Sequence, residues 1–383
     1  MKKTQETLRK NDNTRDTVMY TAFELSNKKW KLAFSNGSKM RYVSTDARDL
    51  NKLQVEIAMA KKRFGLNEDV KVVSCYEAGR DGFWLHRYLL SLGVGNLVVD
   101  SSSIEVNRRK RRAKTDRIDA GKLLGMLMRY HGGEKKVWSV VRVPSEEAED
   151  GKNLGRELKV LKGERTMHIN RIKGLLIQHG VVIKRPSSKK FLSKLECALT
   201  WDGKELPVDF RTRVVREHQR LRMIEEQIGE LKKERARRVI VSDKLSYQQV
   251  AQLMRLRGIG PENSWDFVME FFSWRDFKNR KQVGALAGLT PTPYDSGTSL
   301  REQGISKAGS GHIRTLSVES AWCWLRFQPQ SKLSRWFNKR FAQGGKRMRR
   351  IGIVAVARKL LIALWRYLKD GVLPEGACLK EVI

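Results

Sequence analysis

Between residues 18 and 140 short β-rich runs alternate with helical patterns, and beyond residue 145 the β-branched runs all but vanish. That switch of period demands an α/β unit followed by helical architecture. VMYTAFEL (18–25) and KWKLAFS (29–35) predict two strands joined by a tight polar turn over 26–28, and MRYVS (40–44) predicts a third. A mixed apolar and charged helical pattern fills 47–63. VKVVSCYE (70–77), a helix around 82–92 and GNLVVD (95–100) complete the alternation. A hairpin-rich start followed by βαβ units predicts a mixed sheet rather than a purely parallel one.

Residues 145–237 read instead as long, charge-laced helices. Val214, Leu221 and Ile228 recur every seven residues, with Ile224 and Leu231 at the alternate seam positions and Glu217 interrupting the seam. Such an a/d pattern suits either a helical hairpin packed on its own domain or a coiled-coil arm that spaces domains or joins subunits. Residues 246–383 form a mostly helical unit with the loop-forming LRGIGPE (256–262), a Gly/Thr/Pro-rich stretch at 288–299 and a basic end. The expected division is 1–144, with 1–17 disordered, then 145–245 as the coiled-coil segment, then 246–383.

Charge narrows the function. The 383 residues carry 77 Lys+Arg against 42 Asp+Glu, a formal net charge of +35. A surface so basic repels itself unless a polyanion normally covers it, and nucleic acid fits best. Hydrophobic residues at 40% exclude a disordered basic tail. The apolar stretch 351–368 is broken by Arg358, Lys359 and Arg366, which excludes it as a membrane span, and the polar N-terminus has no signal-peptide core. Four scattered cysteines without a CxxC pair exclude an evident zinc site and suit a reducing compartment. A cytoplasmic nucleic-acid-binding protein is expected.

In so basic a chain, acids at strand ends invite explanation. Glu24 lies near the end of the first strand and Glu77 ends the strand VVSCYE. Asp116 and Asp119, in KTDRIDA, are three apart and so share one face of a helix beginning near Thr115. Converging carboxylates hold hard cations such as Mg²⁺. Directly before the pair stands NRRKRRAK (107–114), in which Arg108, Arg109, Lys110, Arg111, Arg112 and Lys114 are candidate phosphate contacts. Taken singly, each acid is better read as an ordinary charge, Asp116 in a helix's first turn, Asp119 paired with Lys122 or Lys114, and Glu24 and Glu77 exposed at strand ends; the basic run beside the pair is what favours a site. Arg347, Arg349 and Arg350 precede an amphipathic helix beginning near Ile351; its Arg/Lys face is a second candidate phosphate surface.

These motifs resemble the DEDD transposases of insertion sequences, the bridge-RNA-guided serine recombinases. A strand acid opening a hairpin, a later strand-end Glu and KTDxxDA opening a helix carry the likeness in the first half. REL (156–158), NRIKGLL (170–176), GIGP (258–261), LAGLTPTPYDSGTS (286–299) and ISKAG (305–309) extend it over roughly residues 18–370. The resemblance implies a RuvC-like, RNase H-type domain whose four acids fall on Glu24, Glu77, Asp116 and Asp119 with Mg²⁺. Glu24 stands where the family usually has Asp, and Glu77 is followed by Ala78, Gly79 and Arg80 rather than Ala-Thr-Gly.

By composition Ser296 is one of several hydroxyls in a glycine-flanked loop, with Ser299, Ser306 and Ser310 equivalent to it. The resemblance selects Ser296 as a covalent nucleophile that forms a phosphoserine link to DNA. It also implies donor and target DNA, a structured guide RNA and a homo-oligomer, dimer or tetramer, as partners. Two other readings stand beside it: a Holliday-junction-type nuclease using the carboxylates alone, and a non-catalytic nucleic-acid-binding protein. Trp138, Trp322, Trp324 and Trp336 are expected in cores rather than on bases, and His131, His168, His179 and His218 are read as structural.

Overall fold

The computed structural model describes residues 17–104, 115–296 and 299–380, with backbone alone over 295–302. The chain forms two units, Met1–Val143 and Pro144–Ile383.

The first unit is built on a five-stranded mixed sheet of β1 (Val18–Glu24), β2 (Lys29–Ser35), β3 (Met40–Asp46), β4 (Lys71–Glu77) and β5 (Gly95–Val99), in the order β3-β2-β1-β4-β5. β1 and β2 pair antiparallel, as do β2 and β3, while β1–β4 and β4–β5 are parallel. Helices α1 (Leu50–Phe64) and α2 (Trp84–Ser91) supply Leu53, Ile57, Leu85 and Leu89 to a core with Met19, Phe23, Trp30, Leu32, Phe34 and Tyr76. α3 (Asp116–His131) covers the other face, where Ala22, Ala33 and Cys75 meet Ala120, Leu123, Leu124 and Leu127. Small side chains on that face let the helix approach the sheet closely. With both faces covered, β1 and β4 are near-continuously buried, which is why they read as unbroken apolar runs.

The second unit begins with an antiparallel pair, α4 (Asn153–Ile177) and α5 (Val208–Val241). Ile172, Leu175 and Leu176 pack with Val214 and Leu221, and Leu158 and Leu161 with Ile224 and Ile228. The heptad seam of α5 is thus closed by the chain's own α4, as a helical hairpin, and lends no support to an arm joining subunits. α6 (Leu245–Met254), α7 (Pro261–Phe267), α8 (Arg280–Leu286), α9 (Gly311–Phe327), α10 (Lys332–Phe341) and α11 (Lys346–Asp370) enclose a second core around Trp265, Phe271, Trp324, Val356 and Leu360. A two-stranded sheet, β6 (Pro291–Ser296) and β7 (Ser299–Ile305), projects between α8 and α9 in sequence. No described helix is long and apolar enough to cross a membrane.

Glu217, the interruption of the heptad seam, is buried and accepts hydrogen bonds from His168 Nδ1 (2.6 Å), Arg171 Nη1 (2.8 Å) and Arg220 Nη1 (2.8 Å). Burial pushes its carboxyl up, but the bonds from His168, Arg220 and Arg171 together hold it below the ordinary range. A depressed folded pKa stabilises above the unfolded value near 4.5, and that contribution drains away as pH falls through the folded value. Glu217→Gln is expected to cost about 2 kcal/mol, since charged hydrogen bonds are worth roughly 1.5–3 kcal/mol. Melting at pH 7 and pH 4 checks this: the deficit shrinks at the lower pH, and an equal deficit at both would refute the assignment.

Candidate functional site

The sheet brings the two strand-end glutamates together. Phe23 and Tyr76 are register partners on parallel β1 and β4, so Glu24 and Glu77 follow side by side. Strand alternation puts Glu24 on the face of Ala22 and Glu77 on that of Cys75, both the face covered by α3. They line one cleft of about 460 Å³ with Ser26, Asn27, Arg80 and Asp81.

α3 brings the aspartates to the same end. Its last residue, His131, meets Tyr20 near the start of β1 (Oη to Nδ1, 3.0 Å), so the helix runs antiparallel to β1 and begins beside the strand's C-terminal end. Thr115 caps it, accepting from the Ile118 amide at 3.3 Å. Asp116 precedes buried Ala120 by four residues and Asp119 precedes buried Leu123 by four, so both extend the stripe that faces the sheet. All four acids therefore share one end and one face of the sheet. Asp119 is also paired with Lys122 at 3.2 Å, the surface partner anticipated for it. Among the described residues no three His, Cys, Asp or Glu close on a point at metal-binding distance. The donor chemistry, carboxylate oxygen throughout, fits Mg²⁺ rather than a softer ion.

Basic groups stand close by. The run 107–114 lies outside the described residues. Lys31, which is opposite Glu24 in the β1–β2 register, lines a second cleft of about 450 Å³ with Arg41, Arg63 and Arg117, the last lying 4.8 Å over the Tyr42 ring. Sequence reading missed these four, and Asp81 as well, because they are spread over 86 residues and share no local motif.

Ser296 sits at the end of a strand, not in a loop. Ser296 pairs with Ser299, Asp295 with Leu300 and Tyr294 with Arg301. Two prolines in PTPYDS argue against a strand, yet a two-stranded sheet leaves one edge of β6 unpaired, where a missing N–H costs nothing. The hairpin base is clamped by the flanking motifs. Ser306 N donates to Thr290 O (2.8 Å), Lys307 N to Gly288 O (3.2 Å) and Ser310 N to Leu286 O (2.9 Å). His312 is engaged elsewhere: Nε2 lies 3.3 Å from Asp266 Oδ2, and Nδ1 lies 3.2 Å from Lys159 Nζ.

α11 starts at Lys346 rather than near Ile351, so Arg347, Arg349 and Arg350 lie in its first turn. Trp138 and Trp324 are buried as expected, whereas Trp322 is 42% exposed and Trp336 half-buried. His131, His168, His179 and His218 all pack or bond within the fold.

Comparison with known proteins converges on one family. Residues 250–334, which span α7 to α9 and the hairpin, match the pattern described as the Transposase IS116/IS110/IS902 family. A chain of Sinorhizobium fredii, assigned as the transposase y4rJ, is 40% identical over 376 residues, 95% of each chain. The transposase for insertion sequence element IS1328 of Yersinia enterocolitica is 27% identical over 215 residues, 55% of this chain and 60% of that one. The transposase for insertion sequence element IS1111A of Coxiella burnetii is 26% identical over 206 residues, 53% of this chain and 54% of that one. Identity at this level along nearly the whole of two chains means that this protein belongs to the IS116/IS110/IS902 family of transposases.

Proposed function

We propose that this transposase cuts and rejoins DNA strands with Ser296 as nucleophile, assisted by Glu24, Glu77, Asp116 and Asp119. The observation that carries the proposal is the gathering of the four acids at one end and one face of a β3-β2-β1-β4-β5 sheet. That strand order, three antiparallel strands followed by two parallel ones, supports an RNase H-type reading of the first unit. Mg²⁺ held by the carboxylates would neutralise charge on the phosphoryl group in the transition state.

In the serine step the Ser296 hydroxyl attacks the scissile phosphorus. An Oγ–P bond forms as the P–O bond to the departing sugar breaks; the serine proton goes to solvent and the sugar oxygen takes up another. A hydroxyl of the receiving strand then attacks the phosphoserine and releases Oγ, so no net bond energy or redox change is required. A structured guide RNA and self-association belong to the same proposal, supported by the family resemblance, and the net charge of +35 suits a polyanionic partner.

Denaturing electrophoresis of the protein incubated with Mg²⁺ and labelled DNA carrying element ends tests the serine. A detergent-resistant protein–DNA adduct is expected from the native chain and none from Ser296→Ala. An adduct that persists in Ser296→Ala refutes the nucleophile. Cleavage without any adduct, undiminished in that variant, points to a carboxylate-only nuclease.

A further inference from the structure

We propose that the cleft between the α10–α11 pair and the base of the β6–β7 hairpin binds the sugar-phosphate backbone of a DNA strand, with Arg358 as its innermost contact. The proposal rests on the reading that Ser296 acts on DNA. The cleft, of about 1080 Å³, is lined by Arg340, Lys346, Arg347, Arg350, Arg358 and Lys359, and no acid is among its lining residues.

None of the six has a carboxylate partner within 4.0 Å among the described residues, although arginines elsewhere in the chain are widely paired. Four cations, Lys346, Arg347, Arg349 and Arg350, crowd the first turn of α11, which holds no acid. The helix dipole disfavours positive charge there, and an anion bound from outside would relieve it. Arg358 adds an independent sign. Its Nε is buried without a hydrogen-bond partner. α8 makes room for it with Gly284, where a Cβ would lie 3.0 Å from that nitrogen. Nε itself is shut off from the cleft, so an incoming phosphate would meet the half-buried guanidinium through its other N–H groups, and the held Nε fixes where they stand.

The dimensions suit a nucleic-acid strand. Lys346 and Arg358 are twelve residues apart on one helix, about 18 Å, which is about five phosphates at the 3.4 Å axial spacing of one DNA strand. The contact would be blind to sequence, because the one tryptophan in the wall, Trp336, already has Lys359 over its ring at 4.6 Å. The opposite wall holds Pro291, Gly304 and Ile305, at the base of the hairpin that ends in Ser296. A strand lying in the cleft is thereby delivered to the root of the element bearing the proposed nucleophile.

The test titrates full-length protein with labelled 30-base-pair DNA duplexes of two unrelated sequences, and with the matching RNA duplex, across a salt series. The double variant Arg350→Gln, Arg358→Gln is expected to lower DNA affinity about 10- to 100-fold and to reduce the slope of log K against log salt by about 2, equally for both sequences. Arg350→Lys with Arg358→Lys should keep most of the slope, which separates charge loss from misfolding. Lys189→Gln with Lys190→Gln, the same charge removed elsewhere, should change affinity far less. An unchanged slope in the first variant, an equal loss in the Lys189/Lys190 control, or a loss confined to RNA overturns the cleft. If the cleft fails while Ser296→Ala still abolishes the adduct, the proposed function survives; if the native chain binds no DNA duplex, both fall.

Discussion

Glu77→Ala is expected to reduce DNA strand cleavage by about three orders of magnitude or more while leaving the melting temperature nearly unchanged. A metal's stabilisation of phosphoryl charge is worth several kcal/mol, and each 1.36 kcal/mol is about a factor of ten in rate. Glu77 is exposed at the end of a strand that is otherwise buried, so removing its carboxylate leaves no cavity and strands no buried donor. Asp116→Ala should behave alike, because it too is exposed and its helix keeps the Thr115 cap. Glu24→Asp is expected to retain activity, since a carboxylate remains at that position and the shorter acid is the one the DEDD resemblance implies there. Cleavage of a plasmid bearing element ends, assayed beside thermal melting of each variant, decides the matter. Activity within tenfold of the native chain for both alanine variants would return these acids to the rank of ordinary surface charges.

The second large effect concerns the backbone beneath the serine hairpin. Gly288 has φ +67° and Gly309 has φ +95°, and a Cβ on either would come within 2.3 Å of a carbonyl oxygen, that of Ala308 or Leu286 respectively. The two glycines interlock: each leaves space for the backbone beside the other, which is why LAGL and ISKAG flank the hairpin. An L side chain adds roughly 1–2 kcal/mol of left-handed strain, and the contact with rigid backbone adds more. Gly288→Ala and Gly309→Ala should each cost about 3 kcal/mol or more, a fall of roughly 6–12 °C for a unit of this size. Gly304→Ala is the matched comparison: φ is +88° there, but nothing lies within 4 Å of the added Cβ. Its cost should stay near 1 kcal/mol. Equal melting of all three variants would refute the interlocking.

Much of the architecture was legible because it is written in contiguous residues. The short β-rich runs VMYTAFEL and KWKLAFS anticipated β1 and β2, and the seven-residue spacing of Val214, Leu221 and Ile228 marked a buried seam. Thr115 before DRID announced the start of α3. The strand ending at Ser296 was not legible, because its prolines are tolerated only by virtue of which edge stays unpaired. Nor was the start of α11 at Lys346, since a first turn of four cations runs against the dipole preference on which a sequence reading relies.

By itself, then, the sequence determined most of the strands and helices and the excess of positive charge, since periodicity and charge are properties of neighbours along the chain, whereas the clashes that reserve Gly288 and Gly309 for glycine come from backbone across the base of the hairpin. Only the tertiary structure decided that Glu24 and Glu77, 53 residues apart, finish side by side on parallel strands and that α3 starts at that same end. It alone decided that Glu217 would be buried among cations and that Arg358 would be half-buried without a partner. Those outcomes depend on closing long loops and on which faces then pack together, and no local pattern encodes that free energy.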